Sequence, residues 1–190
     1  MVWVTYYLAL RPECQEALRD EINHLASPGN SDYKGSNVGY LELRKAVQAD
    51  SFIREVLRMK GDSVNVVRSS IRDVELGGYM IPKGSVLFPV THLSYRSPQY
   101  TEDPDEFNET RWVGTRKSAA TVGPGYLAFG LGRWACPGRF LAVNEIKSWI
   151  LALVKHSNFT LDGGKYQVID PCNITGVPPL GRLVLERHEE

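Results

Sequence analysis

The apolar positions of this 190-residue chain follow different rhythms, and each rhythm predicts a different element. Met1 to Leu10 is apolar and aromatic almost throughout, which predicts a packed helix rather than an amphipathic one. It is shorter than the about 20 residues needed to cross a bilayer. It also lacks the basic leader and small-residue cleavage site of a signal peptide. Pro12 interrupts it, and Pro12 to Leu25 reads as an amphipathic helix. Leu18, Ile22 and Leu25 share one stripe, with Glu13, Glu16, Arg19, Asp20 and Glu21 mostly opposite. Ser27 to Asp32 is a loop continued by Tyr33 to Gly39, and Leu41 to Val47 is a short helix. Ser51 to Lys60 is the next helix, with Ser51 or Asp50 as its cap and Gly61 as its end. Pro137 to Lys155 has the strongest helical pattern. Phe140, Val143, Ile146, Ile150 and Leu153 form its apolar stripe, and Asn144, Lys147 and Ser148 fall off it.

Between these helices the β-branched residues come in short, turn-bounded runs. Val64 to Ile71 and Val74 to Leu76 read as strands, Gly77-Gly78 as a hairpin turn, and Tyr79 to Ile81 as the return. Pro82 to Gly84 is a further turn before Ser85 to Val90. His92 to Tyr95 suits one helical turn, while Asp103 to Trp112 has little periodicity and reads as an ordered loop. Thr115 to Gly125 is a Gly/Ser/Ala-rich loop. Phe159 to Leu161 and Leu183 to Leu185 are short strands, and Glu186 to Glu190 is a solvated tail. Together these predict a mainly α protein with small β-sheets, of α+β class, as a single region over residues 1–190 with no internal repeat.

Composition narrows the function classes. The 22 basic residues balance 22 acidic ones, so nothing points to nucleic acid or to an anionic membrane surface. Cys14, Cys136 and Cys172 are odd in number and widely spaced, which argues against a disulfide framework and fits a reducing compartment. No paired cysteines or clustered histidines suggest zinc. As written, the chain reads as soluble and intracellular.

The candidate chemistry is concentrated at Phe129 to Gly138. Cys136 directly precedes Pro137, a residue suited to a helix start. The positive end of that helix favours a thiolate. Thiolate is the form that ligates iron, and haem held by one cysteine thiolate is an established arrangement. Gly130, Gly132 and Gly138 let the backbone approach a flat ring without Cβ clashes. Arg133 suits a carboxylate of that ring. A buried structural cysteine on a glycine-rich turn is the plainer alternative.

The stretch Phe129-Gly-Leu-Gly-Arg-Trp-Ala-Cys136-Pro-Gly138 resembles the haem-binding signature Phe-x-x-Gly-x-Arg-x-Cys-x-Gly of the cytochrome P450 monooxygenases, with Arg133 as its basic residue. The resemblance implies haem b, with Cys136 as the axial metal ligand and Phe129, Gly130, Arg133 and Gly138 around it. It extends upstream. Glu55 and Arg58 share a helix face, where an ordinary exposed pair contributes only about 0.2–0.5 kcal/mol. In the family a Glu-x-x-Arg helix stands at this place in the chain order. Pro104-x-x-Phe107-x-x-x-Arg111-Trp112 is similar to the family's Arg-containing meander, which implies a charge network of Glu55, Arg58 and Arg111. The spelling departs from the commonest one at Glu109 and Thr110. Gly78 to Gly84 resembles the family's small sheet. By that alignment Arg68 is either the base that reaches a haem propionate or a surface strand arginine.

The order of these motifs is that of the C-terminal part of the P450 fold, without its N-terminal half. Ala135 to Lys147 is phrased like fungal members that oxidise terpenoids and other secondary metabolites. The implied activity is oxidation of a small apolar substrate with O2 and electrons from NADPH-cytochrome P450 reductase. Full-length relatives are commonly anchored at the endoplasmic reticulum, but no transmembrane segment is expected here. The family's acid-alcohol pair should lie before Met1. Thr5 has no acidic neighbour and takes no such role, so no catalytic residue is assigned. Val64 to Val67 and Asn173 to Val177 are loose candidates for a pocket, or plain core and loop. Two other readings stand beside a monooxygenase. One is a truncated, non-oxygenating relative that binds haem or ligand or assists another protein. The other is an inactive fragment with apolar surface exposed on residues 1–10 and on the sheet.

Overall fold

In a computed structural model of the protein, the structure describes residues 1–26, 39–61, 67–171, 174 and 177–188. The core lies among four helices. Val2–Ala9 forms α1 and Pro12–Leu25 forms α2, with Pro12 at the first helical position, where its missing N–H costs nothing. α1 is buried along most of its length, as its unbroken apolar run predicts. Its exposed apolar side chains are Met1 and Val2 at its start and Leu10 just beyond it, so exposure over residues 1–10 is confined to the ends. Gln15 is buried on α2. Its Nε2 donates to Leu8 O at 3.0 Å and Phe159 O at 2.8 Å, and its Oε1 accepts from Phe159 N at 3.1 Å. One amide thus joins α1, α2 and a strand with its hydrogen-bonding groups in use.

Tyr40–Lys45 forms α3 and Val47–Lys60 forms α4. The expected helix start at Ser51 is a turn too late, because the cap comes from another helix. The Glu21 carboxylate of α2 accepts from Gln48 N at 2.7 Å and Ala49 N at 2.9 Å, satisfying orphan donors of the first turn of α4. Ser51 and Asp50 are free for tertiary contacts. Ser51 Oγ donates to Glu109 O at 2.6 Å and accepts from Trp112 N at 3.0 Å. Gly61 turns extended and ends α4, as expected.

Six short strands make three antiparallel pairs. β1 (Arg68–Ser69) pairs with β4 (Val86–Leu87), and β2 (Val74–Leu76) pairs with β3 (Tyr79–Ile81). Gly77 and Gly78 make the β2–β3 turn with φ of 58° and 82°, where only glycine is unstrained. The runs Val64 to Ile71 and Ser85 to Val90 pair over two residues only, and residues 62–66 lie outside the described part. α5 is Thr91–Tyr95. β5 (Ser157–Leu161) and β6 (Leu183–Arg187) pair over five registers, and Phe159 and Leu161 face the core. Glu186 and Arg187, expected in a solvated tail, continue β6.

α6 is Arg139–His156, starting two residues after Pro137. Its core face is Val143, Ile146, Lys147, Ile150, Leu151 and Val154. Phe140 is exposed and Leu153 half-buried, so the apolar stripe is rotated from the expected one. The stripe passes through a lysine. Lys147 Nζ pairs with Asp50 Oδ1 at 2.6 Å and donates to Leu43 O at 3.2 Å, so the buried charge meets a half-buried partner. The result is the expected mixture of helices with small antiparallel sheets. Among the described residues, no helix is long and apolar enough to cross a membrane.

Candidate functional site

The Cys136 loop is closed by its own backbone. Gly130 N donates to Leu127 O at 2.9 Å, Ala135 N to Gly132 O at 3.1 Å, and Cys136 N to Phe129 O at 2.8 Å. Gly130 and Gly132 have φ of 79° and 62°, a left-handed conformation that a side chain would strain. A Cβ on Gly130 would stand 3.3 Å from Trp134 O, so the loop could not close unchanged around alanine. Phe129 packs against the core and anchors one side. Arg139, in the first turn of α6, fixes the other. Its Nη1 donates to Cys136 O at 2.8 Å and its Nε to Ala120 O at 3.1 Å. Cys136 therefore has both backbone groups pinned and an exposed side chain, unlike a buried structural cysteine. Cys14 is the contrasting case. Burial, with Glu109 and Glu13 adding to it, pushes its thiol up to about 12, so it packs as a neutral residue. Cys172 lies outside the described residues.

Two guanidiniums approach the loop through one ring. Arg133 lies 4.9 Å and Arg68 6.0 Å from the centre of Trp134. Arg68 is exposed on β1 and donates to Val67 O at 2.9 Å. Counted back from Cys136, the arginine of the haem-binding signature falls on position 134, which is tryptophan here. Arg133 sits one residue earlier, so the assignment of Arg133 to that position is corrected. What the fold brings together is two cations, far apart in the chain, within reach of the Trp134 indole.

Glu55, Arg58 and Arg111 meet. Arg58 Nε and Nη2 reach Glu55 Oε2 and Oε1 at 2.9 and 2.8 Å, both side chains being fully buried. Arg111 Nε donates to Oε1 at 3.0 Å, Asn108 N to Oε1 at 3.2 Å, and Trp112 Nε1 to Oε2 at 2.9 Å. The carboxylate thus accepts five hydrogen bonds. Burial alone would raise its pKa, but the hydrogen bonds and charge of Arg58, then Asn108 N and the charge of Arg111, outweigh burial and hold it below the ordinary carboxylate range. The arginines spend their remaining donors on the 95–106 backbone. Arg58 Nη1 reaches Tyr95 O at 3.0 Å and Pro104 O at 2.5 Å. Arg111 Nη2 reaches Glu106 O at 2.9 Å, and its Nη1 also bonds Glu102 O. The cluster clamps an irregular segment to α4. Its spacing alone would have suited a surface ion pair.

Sequence reasoning missed three side chains of this region. Trp112 is a donor to Glu55, Arg139 fixes the Cys136 carbonyl, and Arg54 on α4 is buried beneath the loop that leads to Cys136. The only signal for Arg139 was its spacing of three from Cys136 at a helix start. Of the loose pocket candidates, Val67, Ile174 and Val177 are exposed, and the others lie outside the described residues. Thr5 is buried, its Oγ1 donating to Met1 O at 3.3 Å and accepting from Trp149 Nε1 at 3.2 Å.

The donor set fits a haem held by one sulfur. Among the described residues no group of three or more His, Cys, Asp and Glu side chains could hold a metal ion, so the loop offers a single exposed thiol rather than a multidentate site. A Cβ added to Gly138 would lie in contact with Cys136 Sγ at 3.9 Å, so glycine there leaves that side of the sulfur open. Leu131, Trp134, Phe140 and Leu141 present exposed apolar surface along the loop and first turn of α6, and Arg68 and Arg133 supply cations for ring carboxylates.

Comparison with known proteins gives the same family. The family model described as Cytochrome P450 matches residues 1–184. The human "25-hydroxyvitamin D-1 alpha hydroxylase, mitochondrial" is 33% identical over 81% of this chain and 29% of its own length. "Cytochrome P450 monooxygenase 71" of Postia placenta is 30% identical over 96% of this chain and 37% of its own length. "Cytochrome P450 monooxygenase calE" of Penicillium decumbens is 36% identical over 75% of this chain and 28% of its own length. The chain spans about a third of the length of the curated relatives it matches.

Proposed function

The chain belongs to the cytochrome P450 family, and from that premise we propose that Cys136 holds haem b through its thiolate in a monooxygenase acting on a small apolar substrate. The observation that carries the reading is the exposed Cys136 thiol on a backbone fixed at both its N–H and its C=O. Haem bound through a cysteine thiolate supplies dioxygen activation, with the sulfur pushing electron density toward the metal. The residues of this chain hold and orient. Gly138 keeps a Cβ away from the sulfur, and Gly130 and Gly132 supply the left-handed turns that shape the loop. Arg68 and Arg133 offer guanidiniums to the ring carboxylates. Glu55, Arg58 and Arg111 hold α4 to the 95–112 segment, which keeps the framework around the loop in register.

The substrate class is inferred from the likeness of Ala135 to Lys147 to fungal enzymes of terpenoid and other secondary metabolism, and two of the relatives above are fungal monooxygenases. Electrons would come from NADPH-cytochrome P450 reductase. The test is to load the chain with haem and supply the reductase, NADPH, O2 and a panel of terpenoid and sterol substrates. Hydroxylated product formed in step with NADPH consumption is the expected result. Haem uptake with no product on any substrate would favour the non-oxygenating alternative, and no uptake at all would sink the monooxygenase reading.

A further inference from the structure

A cavity lies between α4 and residues 99–126. Its volume is about 280 Å³, and its charged lining residues are Arg54 and Lys117, both cations. Arg54 is only 4% exposed. Its guanidinium is packed between two rings, 3.8 Å from the centre of Tyr126 and 4.7 Å from that of Trp112. Nη1 donates to Ser118 O at 2.6 Å and Thr121 O at 2.8 Å, while Nε is buried without an acceptor. Two carbonyls solvate the charge but do not neutralise it. Among the described residues no carboxylate forms an ion pair with Arg54 or Lys117.

The nearest acids are committed elsewhere. Glu55 is shared by two arginines, and Asp50 takes Lys147 and the Ala119 N–H. A neighbouring cavity of about 230 Å³ shares Trp112 and Lys117 and adds Arg44 and Arg116. Its one acidic lining residue is that same Asp50. Both hollows therefore carry more cations than acids, and Arg54 feels Asp50 and Glu55 only at a distance, through no direct ion pair. A buried charge without a counter-charge is costly, and a guanidinium fork matches the geometry of an oxyanion.

We propose that the cavity of Arg54 and Lys117 is a binding site for a small oxyanion, a phosphate or carboxylate group. Arg54 is the fixed anchor, held flat by Tyr126 and Trp112. Lys117, whose Nζ lies 5.4 Å from the Trp112 ring centre, is the exposed second cation. An occupant would supply a direct ion pair, which Arg54 and Lys117 lack, and would tie α4 to the segment leading into the Cys136 loop. The site does not rest on haem binding.

Isothermal titration of the full chain tests this, with inorganic phosphate in one arm and acetate in the other, both at constant ionic strength in chloride buffer. Saturable binding of at least one anion is expected, and the arm that binds identifies the source of the oxyanion group. Loss of one charge-assisted contact should weaken binding about tenfold, so Lys117→Gln should show that loss and Arg54→Gln a larger one. Lys117→Gln should leave the fold intact by circular dichroism, and it decides the matter alone if Arg54→Gln does not fold. Arg182→Gln removes a solvent-exposed cation near Asp162 and should bind as wild type. The proposal is overturned if neither anion saturates, if Lys117→Gln binds unchanged, or if Arg182→Gln loses as much as Lys117→Gln.

Discussion

Arg58→Ala is expected to leave the chain unfolded or insoluble. The substitution strands the Glu55 carboxylate, which is fully buried, and removes the donors to Tyr95 O, Pro104 O and Glu106 O. Breaking one partner out of a buried pair costs about 3–5 kcal/mol, against a total stability of about 5–15 kcal/mol for a domain. Arg182→Ala, at an exposed pair 3.8 Å apart, should fall within about 0.5 kcal/mol of wild type. Thermal melts followed by circular dichroism compare the two, and a melt of Arg58→Ala within a few degrees of wild type would remove the clamp from the account. The same carboxylate sets an acid limit. Its pKa is lower folded than unfolded, so its stabilisation is complete above the unfolded value of about 4.3 and fades as pH falls through the folded one. Wild-type stability should therefore drop on acidification below about pH 4.3, and an unchanged melting temperature over that range would contradict it.

Cys136→Ser is expected to lose haem while keeping the fold. The Cys136 contacts described are made by backbone groups, and its side chain is exposed, so a serine leaves the loop closed. The iron ligand is another matter, since a neutral hydroxyl is a far weaker donor than a thiolate. After reconstitution and desalting, wild type should carry haem and Cys136→Ser should carry little. In the absence of haem the two should melt together. Retention of haem by Cys136→Ser at the wild-type level would move the metal ligand to another residue.

The helices were legible where burial follows a simple period. The α1 run, the Leu18, Ile22 and Leu25 stripe of α2, and the Gly77-Gly78 turn all follow from local chemistry. Long-range polar contacts were not legible. A cap for α4 contributed by Glu21 leaves no local trace at Ser51, and a buried Lys147 looks like a surface residue until Asp50 is placed beside it. Around the site, the shape of the Cys136 loop was readable because the left-handed turns at Gly130 and Gly132 restrict residue type at short spacing. Arg54 was not readable, because the rings and carbonyls that bury it come from residues 112–126, far along the chain. Arg133 shows the opposite risk. The right residue type one position away from the signature's arginine was read as the match, and the indole at 134 was passed over.

The most direct measurement is the carbon monoxide difference spectrum of the reduced, haem-loaded chain. A strongly red-shifted Soret band, present in wild type and absent in Cys136→Ser, is the expected result. A band at the position given by nitrogen ligation, or one identical in both proteins, would contradict a sulfur–iron bond at residue 136.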